Sequence, residues 1–540
     1  MKFERIAFGL LATSIAVLLV VQFGLLYTFP QPDSARWWGD ETGQMLELRA
    51  ELQTGYAHIP PAHGSSLAIT NGLVRGNSWL AAIIYGLPAL LLSARLDLVT
   101  IGRTITFLLS LVLCFMMYRM MRLLRVPPLF ALLGVLVLVS TRAFFFASHA
   151  ARLDIAAGLS LLLFVDYLAS RYRRLRQLEW QPTMIWYFAY GAIALLFATL
   201  SIHLLTLLGT LSVYMLWRYQ VWRKPIALIA AFGGAMGVLA MLYGIYALSG
   251  APISMFSPSV LPNQFQSVSS MLPILRPLSR SVQIANLIER INGLWMEAPQ
   301  VVILVLITLV LLLLRRRQDK RSEAESFIVG ASVVILIAWL FFESPALYYY
   351  VQVLPLFLVG LIASIHHRLV ASNAVAVAIV FCAFLLLAYG CHDVTLASTL
   401  ASRIERDNRS AIHDAIQALA TDSKNARPMV LAQNPAIAYL EHDTSVRVMT
   451  AHLVSFPIWN APLAAQIEQT GAGYLLLYAT GDGSRYSDDY AALRPVGDRI
   501  GTVLMIRTGF LFDVHRNYFE ANGRSIKPDT MILYKLHGAR

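Results

Sequence analysis

Charge is scarce in this chain of 540 residues: Asp, Glu, Lys and Arg make up 14% of it, against 57% hydrophobic residues. Soluble domains carry about a quarter charged residues, so an ordinary soluble globular protein is excluded. Cysteine is scarcer still. Cys114, Cys382 and Cys391 lie in or beside apolar runs, with neither a disulfide framework nor a zinc-ligand spacing among them. Internal repeats, frequent in transporters, and low-complexity segments are both missing.

What is present is a series of apolar runs of about 20 residues, the length that crosses a bilayer core. The net charge of +12 would suggest nucleic acid as partner of a soluble protein. Here Lys and Arg gather in short turns between apolar runs, so membrane topology accounts for the excess and nucleic acid is no partner. The first run, residues 6–27, is too long for a signal h-region and reads as a retained span.

Lys2 and Arg5 place the N-terminus in the cytoplasm. The stretch 79–92, broken by Gly86 and Pro88, decides the parity of everything after it. Taken as a juxtamembrane helix, it leaves spans near 100–118, 128–147, 155–170, a hairpin over 186–217, 226–248 and 300–314, then three more ending at about 391. Every basic cluster then lands inside, including Arg119/Arg122/Arg125, Arg171/Arg173/Arg174/Arg176 and Arg315/Arg316/Arg317. If 79–92 crossed, most of these clusters would lie outside. The expected fold is therefore an α-helical polytopic membrane protein of about 11 spans plus the juxtamembrane helix, over residues 1–391.

Residues 392–540 then share the outer face with residues 28–77. Polar helical patterns alternate there with short apolar runs: a helix at 403–420, a strand at 429–431, a short helix at 436–441, and strands at 474–478, 503–506 and 531–534. That alternation predicts a small soluble α/β domain.

The candidate chemistry lies on the same outer side. Trp37 and Trp38 read as an interfacial aromatic belt next to Asp40 and Glu41, although a solvated loop would also carry such acids. Asp154 opens the fourth span, where an N-cap would also put Asp, but it comes with His149 and Arg152 in one charged cluster. Acids from two outer loops converging at the interface suggest a site, because charge there is costly unless paired or used. Two such carboxylates also admit a divalent metal between Asp40 and Asp154. Arg103 stands at the outer end of the second span, against the positive-inside trend. It suits either snorkelling or a bidentate phosphate contact. Arg276, Arg280 and Arg290 in the loop 249–299 would together make an anion-binding lid. Glu343 precedes Tyr348, Tyr349 and Tyr350 at the head of the tenth span, with Pro355 beyond. His58 and His63 lack a helical metal spacing, and the Asn408 acceptor motif is of a kind expected by chance.

This order of motifs resembles the GT-C glycosyltransferases, specifically the protein O-mannosyltransferase and lipid A aminoarabinose transferase group. Asp40-Glu41 after the first span, Arg103 at the second, Arg152-Leu153-Asp154 in the second outer loop and the Tyr-rich segment before Pro355 each match an element of that group. The Pro-Pro pair often found ahead of the juxtamembrane helix is replaced by Arg75-Gly76-Asn77-Ser78-Trp79. The resemblance, over residues 1–390, implies a GT-C-like fold and transfer of a sugar, with inversion, from a polyprenyl-phosphate carrier to a lipid, glycan or protein acceptor. It implies a bacterial inner membrane, with site and C-terminal domain on the periplasmic side. Asp40 would act as base with Glu41 and Asp154. Arg103, Arg152, Arg276 and Arg280 would hold the donor phosphate, and His149, Glu343, Tyr348 and Tyr349 would line the substrate. A transporter or flippase of lipid-linked sugars, coupling these acids to protons, is the rival reading.

Overall fold

The computed structural model of the chain describes residues 2–26, 45, 48–49, 51–53, 79–93, 95–96, 98–177, 183–200, 202–218, 220–248, 288, 291–295, 298–314, 323–340, 350–366, 373–422, 428–432, 447–450, 471–478, 497–505 and 529–536. The expected spans fall on helices, the third of them on two. In chain order they are α1 (Lys2–Leu26), α2 (Trp79–Leu92), α3 (Leu98–Leu123), α4 (Pro128–Val139), α5 (Arg142–Ser148), α6 (Asp154–Gln177), α7 (Met184–Ala198), α8 (Ile202–Arg218), α9 (Pro225–Leu248), α10 (Pro299–Leu314), α11 (Glu323–Leu340), α12 (Tyr350–Ile365) and α13 (Asn373–Asp422). Helix suits these runs because it satisfies every backbone polar group within the segment, where no water can do so. Among the described residues, three helices are long and apolar enough to cross a membrane, four if α4 and α5 form one broken span, and seven shorter apolar helices accompany them. The chain is a polytopic helical membrane protein.

The core lies among α1, α3, α4, α6 and α12, whose buried Leu, Met, Phe and Val side chains form one cluster. Helices α9 and α10 remain on the outside, with Ile229, Phe232, Leu306 and Val310 exposed, as lipid-facing side chains are. Arg119 on α3 meets Asp166 on α6 at 2.6 Å. Asp166 is three turns, about 18 Å of helix rise, from Asp154 at the start of α6, so the pair ties α3 to α6 well away from the charged turn.

Two features differ from the sequence reading. The third span is not one helix: α4 and α5 meet at a 70° bend over Ser140 and Thr141. Thr141 is extended and caps α5, its Oγ1 accepting from Phe144 N at 3.2 Å, which ends one helix and starts the next. Neighbouring helices supply donors to the carbonyls at the break. Gln22 on α1 donates to Val139 O at 3.0 Å, and Gln300 on α10 donates to Ser140 O at 2.8 Å. Irregular backbone at membrane depth is tolerated where protein satisfies it in this way.

The second difference is at residue 391, where the helix does not end. Helix α13 runs unbroken from Asn373 to Asp422. At 1.5 Å per residue it is about 75 Å long, more than twice a bilayer core. Its far end buries Ile412, Ala415 and Leu419 in the same cluster as Val430, Tyr474, Leu476 and Leu533. Those belong to a five-stranded sheet of β1 (Met429–Ala432), β2 (Arg447–Thr450), β3 (Tyr474–Tyr478), β4 (Gly497–Met505) and β5 (Asp529–Leu536), in the order β2-β1-β3-β5-β4. β1 runs parallel to β2 and β3, while β5 pairs antiparallel with β3 and β4. Val430 and Leu431 are both buried, so β1 is covered on both faces. The strands at 474–478 and 531–534 stand where expected, and β4 begins earlier than expected, at Gly497. The short strand β2 carries no apolar run and went unforeseen. The helix expected over 436–441 lies outside the described residues.

Candidate functional site

Asp154 is the first residue of α6, where the helix dipole favours a carboxylate. It is 4% exposed, and both its oxygens are engaged. Arg152 Nε donates to Oδ2 at 3.1 Å, and Gln352 Nε2 donates to Oδ1 at 2.9 Å. Burial penalises the charge most, and these two donors offset only part of that penalty. Gln352 reaches the carboxylate because α12 and α6 touch backbone to backbone. A Cβ on Gly158, one turn below Asp154, would stand 2.7 Å from Val351 O. Only glycine permits that approach, and the approach places the amide on the acid.

The carbonyl of Arg152 is held as well. Tyr85, in the π-wound turn of α2 at Ala82–Gly86, donates its hydroxyl to Arg152 O at 3.0 Å and lies 3.1 Å from Thr106 Oγ1. Burial, the largest cause, holds the Tyr85 phenol above its ordinary range, with nearby Asp154 adding to it and Thr106 opposing. The group therefore stays a donor. Thr106 is three residues along α3 from Arg103, and its hydroxyl bonds Gly102 O at 3.0 Å. A Cβ at Gly102 would lie 2.5 Å from Ala151 Cβ, so the 149–153 turn rests directly on α3 beside Arg103. The result is a chain of contacts, Thr106–Tyr85–Arg152–Asp154–Gln352, drawn from α2, α3, α12 and the turn leading into α6.

Arg103 is 1% exposed, the largest fully buried side chain among the described residues. It does not snorkel. Its charge is felt by His149, which burial chiefly, and Arg103 in addition, push down to about 4 against two backbone carbonyls. Both ring nitrogens face carbonyls: Nε2 is 2.7 Å from Gln22 O, and Nδ1 is 2.7 Å from Phe145 O and 3.0 Å from Ser148 Oγ. The imidazole lies between the end of α1 and the turn after α5, its one hydrogen in the neutral form going to one of the two carbonyls.

Of the site residues expected from the sequence, Arg103, His149, Arg152 and Asp154 are brought together at one end of the bundle. Asp40, Glu41, Arg276, Arg280, Glu343, Tyr348 and Tyr349 lie outside the described residues, as do Trp37, Trp38, His58 and His63. Tyr350 is buried and packs edge-on against Trp339 at 5.8 Å. Gln352, Tyr85 and Thr106 were not foreseen, although a lone amide in an apolar span is itself a signal. Among the described residues no three His, Cys, Asp or Glu side chains gather as a metal site. Asp154 already carries a guanidinium, which repels a divalent cation. The described side chains do not form a metal cradle.

Among solved structures, ArnT from Cupriavidus metallidurans bound to undecaprenyl phosphate superposes with a TM-score of 0.50 at 13% identity, over 97% of this chain and 98% of that one. The same protein in the apo state gives 0.48 at 15% identity over the same shares. The archaeal oligosaccharyltransferase AglB from Archaeoglobus fulgidus, in complex with an inhibitory peptide and a dolichol-phosphate, gives 0.46 at 11% identity, over 87% of this chain and 69% of that one. At such identities the likeness is one of fold, and the first superposition alone carries it. No protein-family model and no curated protein sequence matches the chain.

Proposed function

We propose that the protein is an integral-membrane glycosyltransferase that moves a sugar from a polyprenyl-phosphate carrier to a lipid, glycan or protein acceptor at the outer face of a bacterial inner membrane. The observation that carries this reading is the cluster of buried Arg103 and Asp154 with part-buried Arg152 at one end of an apolar helix bundle similar in fold to ArnT. Guanidinium groups suit phosphate, which they bind through paired N–H donors. A polyprenyl phosphate delivers its phosphate at the level where such a bundle ends.

In this mechanism the acceptor hydroxyl oxygen attacks the anomeric carbon while the bond from that carbon to the phosphate oxygen breaks. The electron pair leaves with the phosphate, and Arg103 and Arg152 offset the charge that grows there. Arg276 and Arg280 add to that from the loop 249–299. The acceptor proton passes to Asp40, assisted by Glu41, and one displacement inverts the anomeric centre. Glu343, Tyr348 and Tyr349 line the sugar. Asp154, engaged at both oxygens, aims Arg152 in place of taking a proton, and His149 holds the turn. A divalent metal is not needed by this scheme.

The test is transfer by the purified full-length chain, supplied with undecaprenyl phosphate carrying mannose, glucose or arabinose and with an extract of envelope lipids and glycans. Release of undecaprenyl phosphate together with a newly glycosylated product is the expected result. Movement of intact carrier across a vesicle membrane without release would replace the transferase with a transporter.

The orientation carries its own expectation. In a background lacking Cys114, Cys382 and Cys391, Ser34→Cys and Ser484→Cys should both react with an impermeant thiol reagent in intact cells. Eleven spans put both positions on one face, and reaction of only one would remove the eleven-span topology and the outer placement of residues 392–540.

A further inference from the structure

Gln352 carries an unused capacity beside the cluster. Its Nε2 is committed to Asp154 Oδ1, and its Oε1 is a buried acceptor with no hydrogen-bond partner among the described residues, on a side chain 1% exposed. The amide cannot be turned over to relieve this, because a carboxylate offers no hydrogen to Oε1. Leaving a buried carbonyl oxygen unpaired costs about 1–3 kcal/mol, and such an atom in an otherwise satisfied cluster points to a ligand that supplies the donor.

The surroundings define that donor. Being the other end of the same planar amide, Oε1 stands beside the Asp154 carboxylate, which holds Arg152 at 3.1 Å. On the transferase reading, on which this inference rests, Arg152 binds the phosphate of the carrier. The groups next to the phosphate in a glycosyl phosphate are the anomeric carbon and the hydroxyl on the adjoining ring carbon. Hydrogen bonds to that 2-hydroxyl strengthen as the glycosidic bond breaks in glycosyl transfer to water, and the same charge development occurs here.

We propose that Gln352 is a two-ended positioning and specificity residue. Nε2 fixes Asp154, and through it Arg152, while Oε1 accepts a hydrogen bond from the 2-hydroxyl of the donor sugar. The residue is set by the helix approach at Gly158, so its place does not depend on a loop.

The experiment measures binding of four probes to the full-length protein in detergent. They are undecaprenyl phosphate alone, the carrier with mannose, the carrier with glucose, and the carrier with 2-deoxyglucose. In the wild type, 2-deoxyglucose on the carrier should bind about tenfold more weakly than the better of the two hexoses, the loss of one buried hydrogen bond. In Gln352→Met that difference should vanish: the hexose donors should lose about tenfold more than the deoxy donor and bare undecaprenyl phosphate do, those two weakening alike by whatever is lost through Asp154 and Arg152. The comparison inside the wild type stands even if the variant does not fold. Equal binding of deoxy and parent donors by the wild type overturns the proposal. So does equal loss of all four probes in a folded Gln352→Met, which would leave the residue a structural tie. Binding of bare carrier but of no sugar-bearing carrier by the wild type would remove the donor reading itself, and this inference with it.

Discussion

Asp40→Asn is expected to yield a protein that inserts, folds and binds the lipid donor, yet transfers sugar about a hundred- to ten-thousand-fold more slowly, the usual worth of general-base assistance. The substitution keeps size and much of the hydrogen bonding and removes the basic oxygen. The structure sharpens the reason for choosing Asp40 over Asp154. Asp154 has Arg152 on one oxygen and Gln352 on the other and is 4% exposed, so both oxygens already serve protein donors and little of either is open to an incoming hydroxyl. A base needs an oxygen that can approach the acceptor hydroxyl. Asp40, next to Trp37 and Trp38 in sequence, is the acid expected at the lipid–water boundary, with Glu41 beside it. Glu41→Gln should be milder, within about tenfold of wild type, if Glu41 only orients its neighbour. Turnover of both variants beside wild type, with donor binding measured in parallel, is the comparison. Near-wild-type turnover by Asp40→Asn would remove Asp40 as the base and leave the Asp-Glu pair without a chemical role.

What was legible in the sequence followed the cost of charge in lipid. Arg103, Arg152 and Asp154 stand out because an ionised group beside an apolar run is expensive unless used, and the structure brings them to one end of the bundle. The helix positions were legible for a related reason, since a run of apolar residues this long has no alternative to helix in a bilayer. The neutral members of the site were far harder to see. Tyr85 lies in a run that reads as generic interfacial helix, and its bond to the Arg152 carbonyl depends on a π turn with no sequence mark. Gln352 is the one amide in the apolar helix α12, a signal of the same kind as a charge but weaker.

The break in the third span was hidden for another reason. Neither glycine nor proline stands at Ser140 and Thr141, the bend being held by Gln22 and Gln300 from helices distant in sequence. Local patterns cannot report a hinge whose donors come from elsewhere. At the far end, α13 crosses residue 391 without a break, and the residues after the apolar run include no glycine or proline to stop it. The change of composition there does not mark the end of an element.

Arg103→Ala is expected to lower kcat/KM for the lipid donor about ten- to a hundredfold, far more than Arg315→Ala, which removes one charge from the basic run after α10. Loss of a hydrogen bond to a charged group is worth about 1.5–3 kcal/mol, and a buried guanidinium is screened less by salt than one in a loop. Arg103 is 1% exposed, so its removal also leaves a cavity, and lost packing must be separated from lost recognition. Arg103→Lys does so. It keeps the charge and most of the stem and loses the planar fork that matches a phosphate. The lysine variant should recover thermal stability almost fully and donor kcat/KM only in part. Salt provides a second discriminator, because the donor affinity of Arg315→Ala should keep the wild-type salt dependence. If Arg103→Ala and Arg315→Ala show the same donor dependence per folded molecule, Arg103 serves packing alone. The phosphate would then have to be bound by Arg152 and the arginines of the segment 249–299.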